Sequence, residues 1–266
     1  MAIIDADPLT YTLIGLAMQV HRRLGPGLDE ICYHELLSAE LSTTPFAHEF
    51  KPRRELVHRG FLADVFEADI VIPDRAVLEA KHLREGFVPK HFAQLHCYLK
   101  AWKIQTGLLI DFGKQSLLFR RQIAPTTPPT VPSREELDRH LQSRGLDRTD
   151  AELVAACLDR VLQEHGLGYW DTTYHGLVHA DLRAENLDVI DRPEVHVHTG
   201  CRRTRNVRLD CLVVERSLAI QILALQQSIP AAAQAIMTTC LRLLRLHTGI
   251  TVNFGKHHVD LYVQLR

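Results

Sequence analysis

The chain has 266 residues and almost no net charge: 31 Lys and Arg stand against 32 Asp and Glu, a formal −1. A balanced chain supplies no global field for a polyanion, so any nucleic-acid contact has to be local. Long apolar runs are missing too. None approaches the ~20 residues that span a bilayer, and no basic region followed by an apolar run opens the chain. A soluble, cytoplasmic protein is expected. The six cysteines (Cys32, Cys97, Cys157, Cys201, Cys211 and Cys240) never form a C-x-x-C pair. They read as buried thiols in a reducing compartment. There is no P-loop, no Gly-rich dinucleotide loop and no G-x-S-x-G.

What the chain does have is a second copy of itself. "GLDEICYHELL" at 27–37 returns as "GYWDTTYHGLV" at 168–178. One register sets Val20 over Val161, Gly25 over Gly166, Tyr33 over Tyr174, His34 over His175 and Asp69 over Asp210. A one-residue insertion later, "TGLLIDFGK" (106–114) lies over "TGITVNFGK" (248–256). The period is a whole domain, so a tandem duplication is expected rather than a solenoid. The length suits two domains: 1–123, then a connector over 124–149, then 150–266. The connector opens with the Pro-rich "APTTPPTVPS" (124–133), and Ser133 with Glu136 has capping-box spacing for a short helix that Gly145 closes.

In the first copy, Leu13, Leu16, Ala17, Val20 and Leu24 recur at helical spacing. "GPG" (25–27) ends that helix, and a second helix over 28–42 turns Ile31, Leu36 (or Leu37) and Leu41 inward. "GFLADVFEADIVI" (60–72) predicts one long strand, with a "PD" turn and a partner strand "AVLEAKHL" (76–83). Pro89 opens a further helix, and two strands follow. A mixed α/β fold results, in which helices cover a sheet.

On this frame Glu79 and Lys81 share one sheet face, and the turn at 73–74 brings Asp69 toward them. An E-x-K on a strand is usually a solvated ion pair. Here apolar residues flank it on both sides, and charges in a covered strand need a partner or an ion. Two carboxylates beside a lysine are what a hard divalent cation, Mg²⁺ or Mn²⁺, requires for hydrolysis at a phosphoryl centre. Glu30, on a helix, supplies one more carboxylate.

Taken together, "IGLAMQVHRRLGPGLDEICY", the "AD(I/L)" strand, "VLEAK" and "GLLIDFG" resemble the GxxExxY family, which is similar to the PD-(D/E)XK nuclease superfamily. The resemblance covers nearly all of residues 10–122. It implies a mixed sheet flanked by helices, with Glu30, Asp69 and Glu79 as metal ligands and Lys81 as the catalytic lysine. It further implies that Gln94 and Tyr98, four apart on a helix, line the site together with Tyr33. The pattern is broken at Gln19, where relatives commonly carry Glu, and at Glu67, where Arg is usual.

In the second copy Asp171 and Asp210 remain, but Glu79 maps to Gln221, Lys81 to Leu223, Gln94 to Ile236 and Tyr98 to Cys240. Gln lacks the anionic charge and Leu cannot hold water, so this copy is expected to keep the fold without the chemistry. Asp171 and Tyr174 then read as retained helix residues. "KPRRELVHR" (51–59) and "CRRTRNVR" (201–208) are read as solvated edge charges ahead of a phosphate-contacting stripe. His196 and His198 share a strand face but lack the further ligands of a zinc site. His21 and His34 read as packing or hydrogen-bonding residues.

The expected function is a divalent-metal-dependent nuclease acting on phosphodiester bonds, with DNA as the favoured substrate and the two domains paired within the chain or in a homodimer. The competing reading is a non-catalytic scaffold that binds nucleic acid or protein on a nuclease fold.

Overall fold

The structure, a computed structural model, describes residues 8–125, 129–198, 200 and 204–266. The first repeat runs α1 (Pro8–Leu24), α2 (Glu30–Leu41), β1 (Glu49–Phe50), β2 (Arg53–His58), β3 (Phe61–Glu67), β4 (Ile70–Ile72), β5 (Ala76–Lys81), α3 (Pro89–Trp102), β6 (Thr106–Asp111) and β7 (Leu118–Ile123). The connector helix α4 (Arg134–Ser143) follows. The second repeat has α5 (Arg148–His165), α6 (Asp171–Ala184), β8 (Val189–Asp191), β9 (Glu194–His198), β10 (Thr204–Arg208), β11 (Leu212–Val214), β12 (Leu218–Leu223), α7 (Ala231–Leu244), β13 (Thr248–Phe254) and β14 (Val259–Leu265).

Each repeat builds a five-stranded mixed sheet, in the orders β1-β4-β5-β6-β7 and β14-β13-β12-β11-β8. β5 pairs β6 in parallel, as β12 pairs β13, and the other pairings in these sheets are antiparallel. Each parallel pair is joined through a helix, the crossover that parallel strands require. β4 and the first five residues of β5 are buried throughout, as their unbroken apolar runs predict. Leu13, Leu16, Ala17 and Val20 form the inner face of α1 and meet Leu37 and Leu41 of α2 in the same core.

Two sequence expectations are corrected. The inward face of α2 is Tyr33, His34, Leu37 and Leu41, and Ile31 is exposed. This face follows Glu30, whose carboxylate accepts from the His82 N–H just past β5, and i+3, i+4 and i+7 turn inward. The long strand over 60–72 is two strands, broken at Ala68–Asp69. β3 pairs with β2 in a separate two-stranded sheet, and β4 joins the main one. The break is where Asp69 leaves the strand direction.

Ser133 caps α4 as its spacing predicts. Its Oγ accepts from the Glu136 N–H, and its own N–H donates to the Glu136 carboxylate. Gly145, past the helix end, takes φ +91°, which favours glycine. The five described cysteines are free thiols; Cys201 lies outside the described residues, as do part of the Pro-rich segment and Arg202 and Arg203 of the second basic stretch. No helix among the described residues is long and apolar enough to cross a membrane.

The chain divides into two compact units: residues 1–54 with 65–126, and residues 55–64 with 127–266. The tip of the β2–β3 hairpin therefore belongs to the second unit. Its fit there explains one sequence difference. Gly176 stands where the first repeat has Glu35, and a Cβ on it would lie 1.9 Å from the Ala63 carbonyl oxygen. Only glycine admits the hairpin backbone that closely. Arg183 stacks over the Phe61 ring at 4.6 Å. His58 and Arg59 reach the fully buried carboxylate of Asp181, which also receives a two-pronged contact from Arg160 at 2.9 and 2.6 Å.

The repeated tyrosine is a latch. Tyr33 Oη donates to the Gly25 carbonyl at 2.7 Å and accepts from the Leu28 N–H at 3.2 Å, with its ring stacked on Phe112. Tyr174 Oη donates to the Gly166 carbonyl at 2.8 Å and accepts from the Tyr169 N–H at 3.4 Å, with its ring on Phe254. Both rings are fully buried. The Gly…Tyr spacing thus closes the α1–α2 turn and its counterpart, which the second repeat needs as much as the first. Tyr33→Phe and Tyr174→Phe are each expected to cost about 1 kcal/mol, the worth of one buried hydrogen bond. Urea denaturation of the full chain checks both.

Candidate active site

The β4–β5 register pairs Ile70 with Leu78 and Val71 with Val77. Extending it by one step sets Asp69 across from Glu79. Both are buried, Asp69 at 5% exposure and Glu79 at 1%. Asp69 Oδ2 accepts from the Ala80 N–H at 2.9 Å, and its Oδ1 accepts from Lys51 Nζ at 2.5 Å. Glu79 Oε1 takes the Lys81 ammonium at 2.6 Å. Its Oε2 is buried with no hydrogen-bond partner. Glu79 and Lys81 sit two apart on β5, so the sheet pleat puts both on one face, and their contact confirms it.

Glu30 opens α2 and is more exposed. Its Oε2 accepts from the His82 N–H at 3.1 Å, and its Oε1 lies 3.7 Å from Lys81 Nζ. The helix N-terminus favours a carboxylate there. His34, one turn on, sits between elements. Its Nε2 donates to the Ala80 carbonyl at 2.9 Å, and its Nδ1 lies 3.4 Å from Asp69 Oδ1. On α3, Gln94 donates to Tyr98 Oη at 3.0 Å, and Tyr98 packs edge-on against Phe66 and Trp102.

The charges shift each other. Burial, and then the Asp69 carboxylate, push the Glu79 carboxyl upward against the pull of Lys81. Burial works against the Lys81 ammonium, but Glu79, Asp69 and Glu30 outweigh it and raise its pKa, so it stays charged. Burial and the Glu79 charge push Tyr98 up to about 12, so it remains a neutral phenol. Each carboxylate has a lysine partner, yet Glu79 keeps a second, buried oxygen that no hydrogen bond engages and that a cation would. The unengaged buried atoms here are Glu79 Oε2 and His34 Nδ1, and the carboxylate oxygens of Asp69 and Glu79 suit a hard ion such as Mg²⁺ or Mn²⁺. The residues present therefore fit such an ion, held by Asp69 and Glu79.

The structure thus brings Asp69, Glu79 and Lys81 together and draws Glu30 to their edge through Lys81. It does not close three carboxylates on one point. Among the described residues, the one His/Cys/Asp/Glu trio whose ligand atoms all lie within 4.8 Å of one another is elsewhere, at His58, Glu164 and His165. Tyr33 is also placed differently from the expectation that it lines the site, since its hydroxyl serves the 25–28 turn. Lys51 and Asp111 are the residues sequence reasoning missed. Lys51 pairs with Asp69 from a backbone at φ +50° ahead of β2, and nothing in "KPRRE" distinguishes it from the flanking charges. Asp111, fully buried, accepts from the N–H groups of Leu83 and Gly113 and so fixes the loop leaving β5. Its signal was present in the alignment of the repeats, where Asn253 holds the same position and braces the loop after β12 through Leu225 and Gln227.

The equivalent place in the second repeat is dismantled. Gln221 Oε1 accepts from the Thr251 hydroxyl at 3.1 Å, so its amide is absorbed into the sheet. Asp210 is 73% exposed and pairs with Arg192 at 3.1 Å. Asp171 is exposed at the start of α6, and Cys240 is buried where Tyr98 stands in the first repeat. His175, the partner of His34, donates to Asp191 at 2.6 Å instead of to a strand carbonyl.

No curated protein matches the chain. A solved structure, "Crystal structure of SSO0001", is similar over 58% of this chain and 86% of its own, at 16% identity and a TM-score of 0.28. The family model of the PD-(D/E)XK nuclease superfamily matches twice, over residues 7–122 and 148–264. Those two spans take in both five-stranded sheets with their helices, and the chain belongs to the PD-(D/E)XK nuclease superfamily, with its domain present in two copies.

Proposed function

We propose that the first repeat is a divalent-cation-dependent phosphodiesterase acting on nucleic acid, DNA foremost, and that the chain is a GxxExxY-type member of its superfamily. In this reading residues 1–123 carry the chemistry, 124–149 connect, and 150–266 form a partner domain without it. The observation that carries the reading is the unsatisfied, buried Oε2 of Glu79 beside Asp69 and Lys81. A bound cation would engage that oxygen, whose burial without a partner otherwise costs about 1–3 kcal/mol.

Asp69 and Glu79 would hold the ion, and Glu30 would approach it from α2. A bound divalent cation supplies Lewis-acid charge at the scissile phosphate and acidifies water nearby. The chain's own residues do the rest. The Lys81 ammonium, raised above its ordinary pKa, serves as a fixed positive charge against the one that develops on phosphoryl oxygen. The Ala80 N–H keeps the Asp69 carboxylate aimed at Glu79. Gln94 and the buried Tyr98 offer neutral hydrogen-bonding groups from α3. The second repeat's lost acid and lysine favour a non-catalytic role for it.

Calorimetric titration of the full chain with Mn²⁺ or Mg²⁺ tests the ion. Wild type is expected to bind, and Asp69→Asn to lose at least about tenfold in affinity. Because the Glu79 carboxyl is raised and the ion needs it ionised, binding releases protons and weakens as pH falls. Absence of binding by wild type ends the reading, and a DNA and RNA panel assayed for cleavage decides the substrate.

A further inference from the structure

The end of α5 and the tip of the β2–β3 hairpin, both in the second unit, bring three ligating side chains together. His58 Nδ1 lies 2.9 Å from Glu164 Oε2 and 3.0 Å from His165 Nε2. Glu164 Oε1 lies 3.6 Å from His165 Nε2. The His58 ring is fully buried, and the imidazoles of His58 and His165 meet edge to face at 5.0 Å.

With a neutral His58, hydrogen bonding does not account for the contact to Glu164. His58 Nε2 lies 3.1 Å from Asp181 Oδ1. The Asp181 carboxylate is occupied by Arg160 on both oxygens and by Arg59, so it can only accept, and His58 must donate to it through Nε2. In the neutral imidazole Nδ1 then presents a lone pair. The Glu164 oxygen at 2.9 Å has only lone pairs to offer in return. A cation between the imidazole and the carboxylate turns that lone-pair contact into ligation.

We infer that His58 Nδ1, Glu164 and His165 Nε2 form a binding site for Zn²⁺. Two imidazoles and one carboxylate make a donor set suited to this borderline ion rather than to Mg²⁺ or Ca²⁺. Bonds of about 2.0–2.1 Å in tetrahedral geometry put ligand atoms about 3.3 Å apart; the two imidazole nitrogens are 3.0 Å apart, and the Glu164 carboxylate reaches one through Oε2 at 2.9 Å and the other through Oε1 at 3.6 Å. Asp181 supplies the outer carboxylate that fixes the tautomer and orientation of a ligating histidine. Three protein ligands leave a fourth position, and the half-exposed Glu164 marks the side that opens to water. The ion pins the hairpin tip, at Arg59 and Gly60 with φ +48° and +84°, to the last turn of α5 just before the Gly166 latch. The site is independent of the carboxylates of the first repeat and of the chemistry proposed for them.

Full-length protein stripped of metal with a chelator and titrated with Co²⁺ tests the site. The expected result is one equivalent bound with the intense visible absorption of a four-coordinate ion, bleached by Zn²⁺. Glu164→Gln and His165→Asn should each weaken binding at least about tenfold, while Glu152→Gln, on the same helix, leaves it unchanged. Zn²⁺ should also raise the unfolding temperature of wild type but not of Glu164→Gln. Circular dichroism confirms that each variant is folded. Wild type showing no four-coordinate absorption, or an absorption that survives in both folded ligand variants, overturns the site and leaves a cluster held by protons alone.

Discussion

Lys81→Ala is expected to lower metal-dependent cleavage of nucleic acid by roughly 10²–10³-fold, the usual cost of removing a preorganised electrostatic group from an active site. The fold should survive, as judged by circular dichroism. The geometry explains both halves. Lys81 Nζ is the one cation in direct contact with Glu79, at 2.6 Å, among the described residues, and it also reaches toward Glu30. Without it, Glu79 loses its counter-charge. Burial and Asp69 already push that carboxyl upward, so it takes up a proton instead of unfolding the sheet. The loss should therefore fall on turnover and on ion affinity, with little change in stability. Lys81→Arg is not expected to restore activity, because a planar guanidinium does not match the point-like ammonium at this distance. Retention of cleavage within about tenfold by Lys81→Ala would remove the lysine from the mechanism.

Asp181→Asn is expected to cost about 3 kcal/mol in stability, the order found when one partner of a buried ion pair is removed. Asp181 is fully buried beneath Arg160, Arg59 and His58. Burial works against its charge, but the hydrogen bonds from Arg160 and His58 outweigh it and hold the carboxyl well below the ordinary range. A carboxyl whose folded pKa is depressed stabilises fully above its unfolded value, near 3.9, and the gain drains away as pH falls through the folded one. The wild-type and Asp181→Asn stabilities should therefore differ most at neutral pH and converge on acidification below about pH 4. Urea titrations at pH 7 and pH 3 measure this. A gap that does not shrink would mean that packing, not charge, is what the substitution disturbs.

Much of this was legible in the chain. Periodicity located α1, Pro89 marked the start of α3, spacing located the α4 cap, and the "PD" turn between two apolar runs was enough to set Asp69 near Glu79 and Lys81. These are local signals, carried by neighbours in sequence. The destination of the β2–β3 hairpin was not legible. Its residues alternate charge and apolarity like any edge ribbon, and the partners they meet, Asp181, Arg183 and Gly176, lie more than a hundred residues away. The same reason hides Lys51, whose role depends on a left-handed backbone that no motif announces. Tyr33 was misread for a different cause. It falls within a motif that also carries Glu30, and sequence cannot separate a residue that shapes a turn from one that meets a substrate. The second repeat separates them: Tyr174 keeps the latch where Gln221 and Leu223 have abandoned the chemistry.

The assignment of residues 55–64 to the second unit bears on how this chain can be cut. Severing it in the Pro-rich segment would give an N-terminal fragment bearing a ten-residue loop whose ion-pair partners remain on the other piece. The C-terminal piece would in turn expose Gly176 and the Asp181 carboxylate. Expression of the isolated halves is expected to yield two incomplete proteins where the pattern of repeats suggests two whole ones.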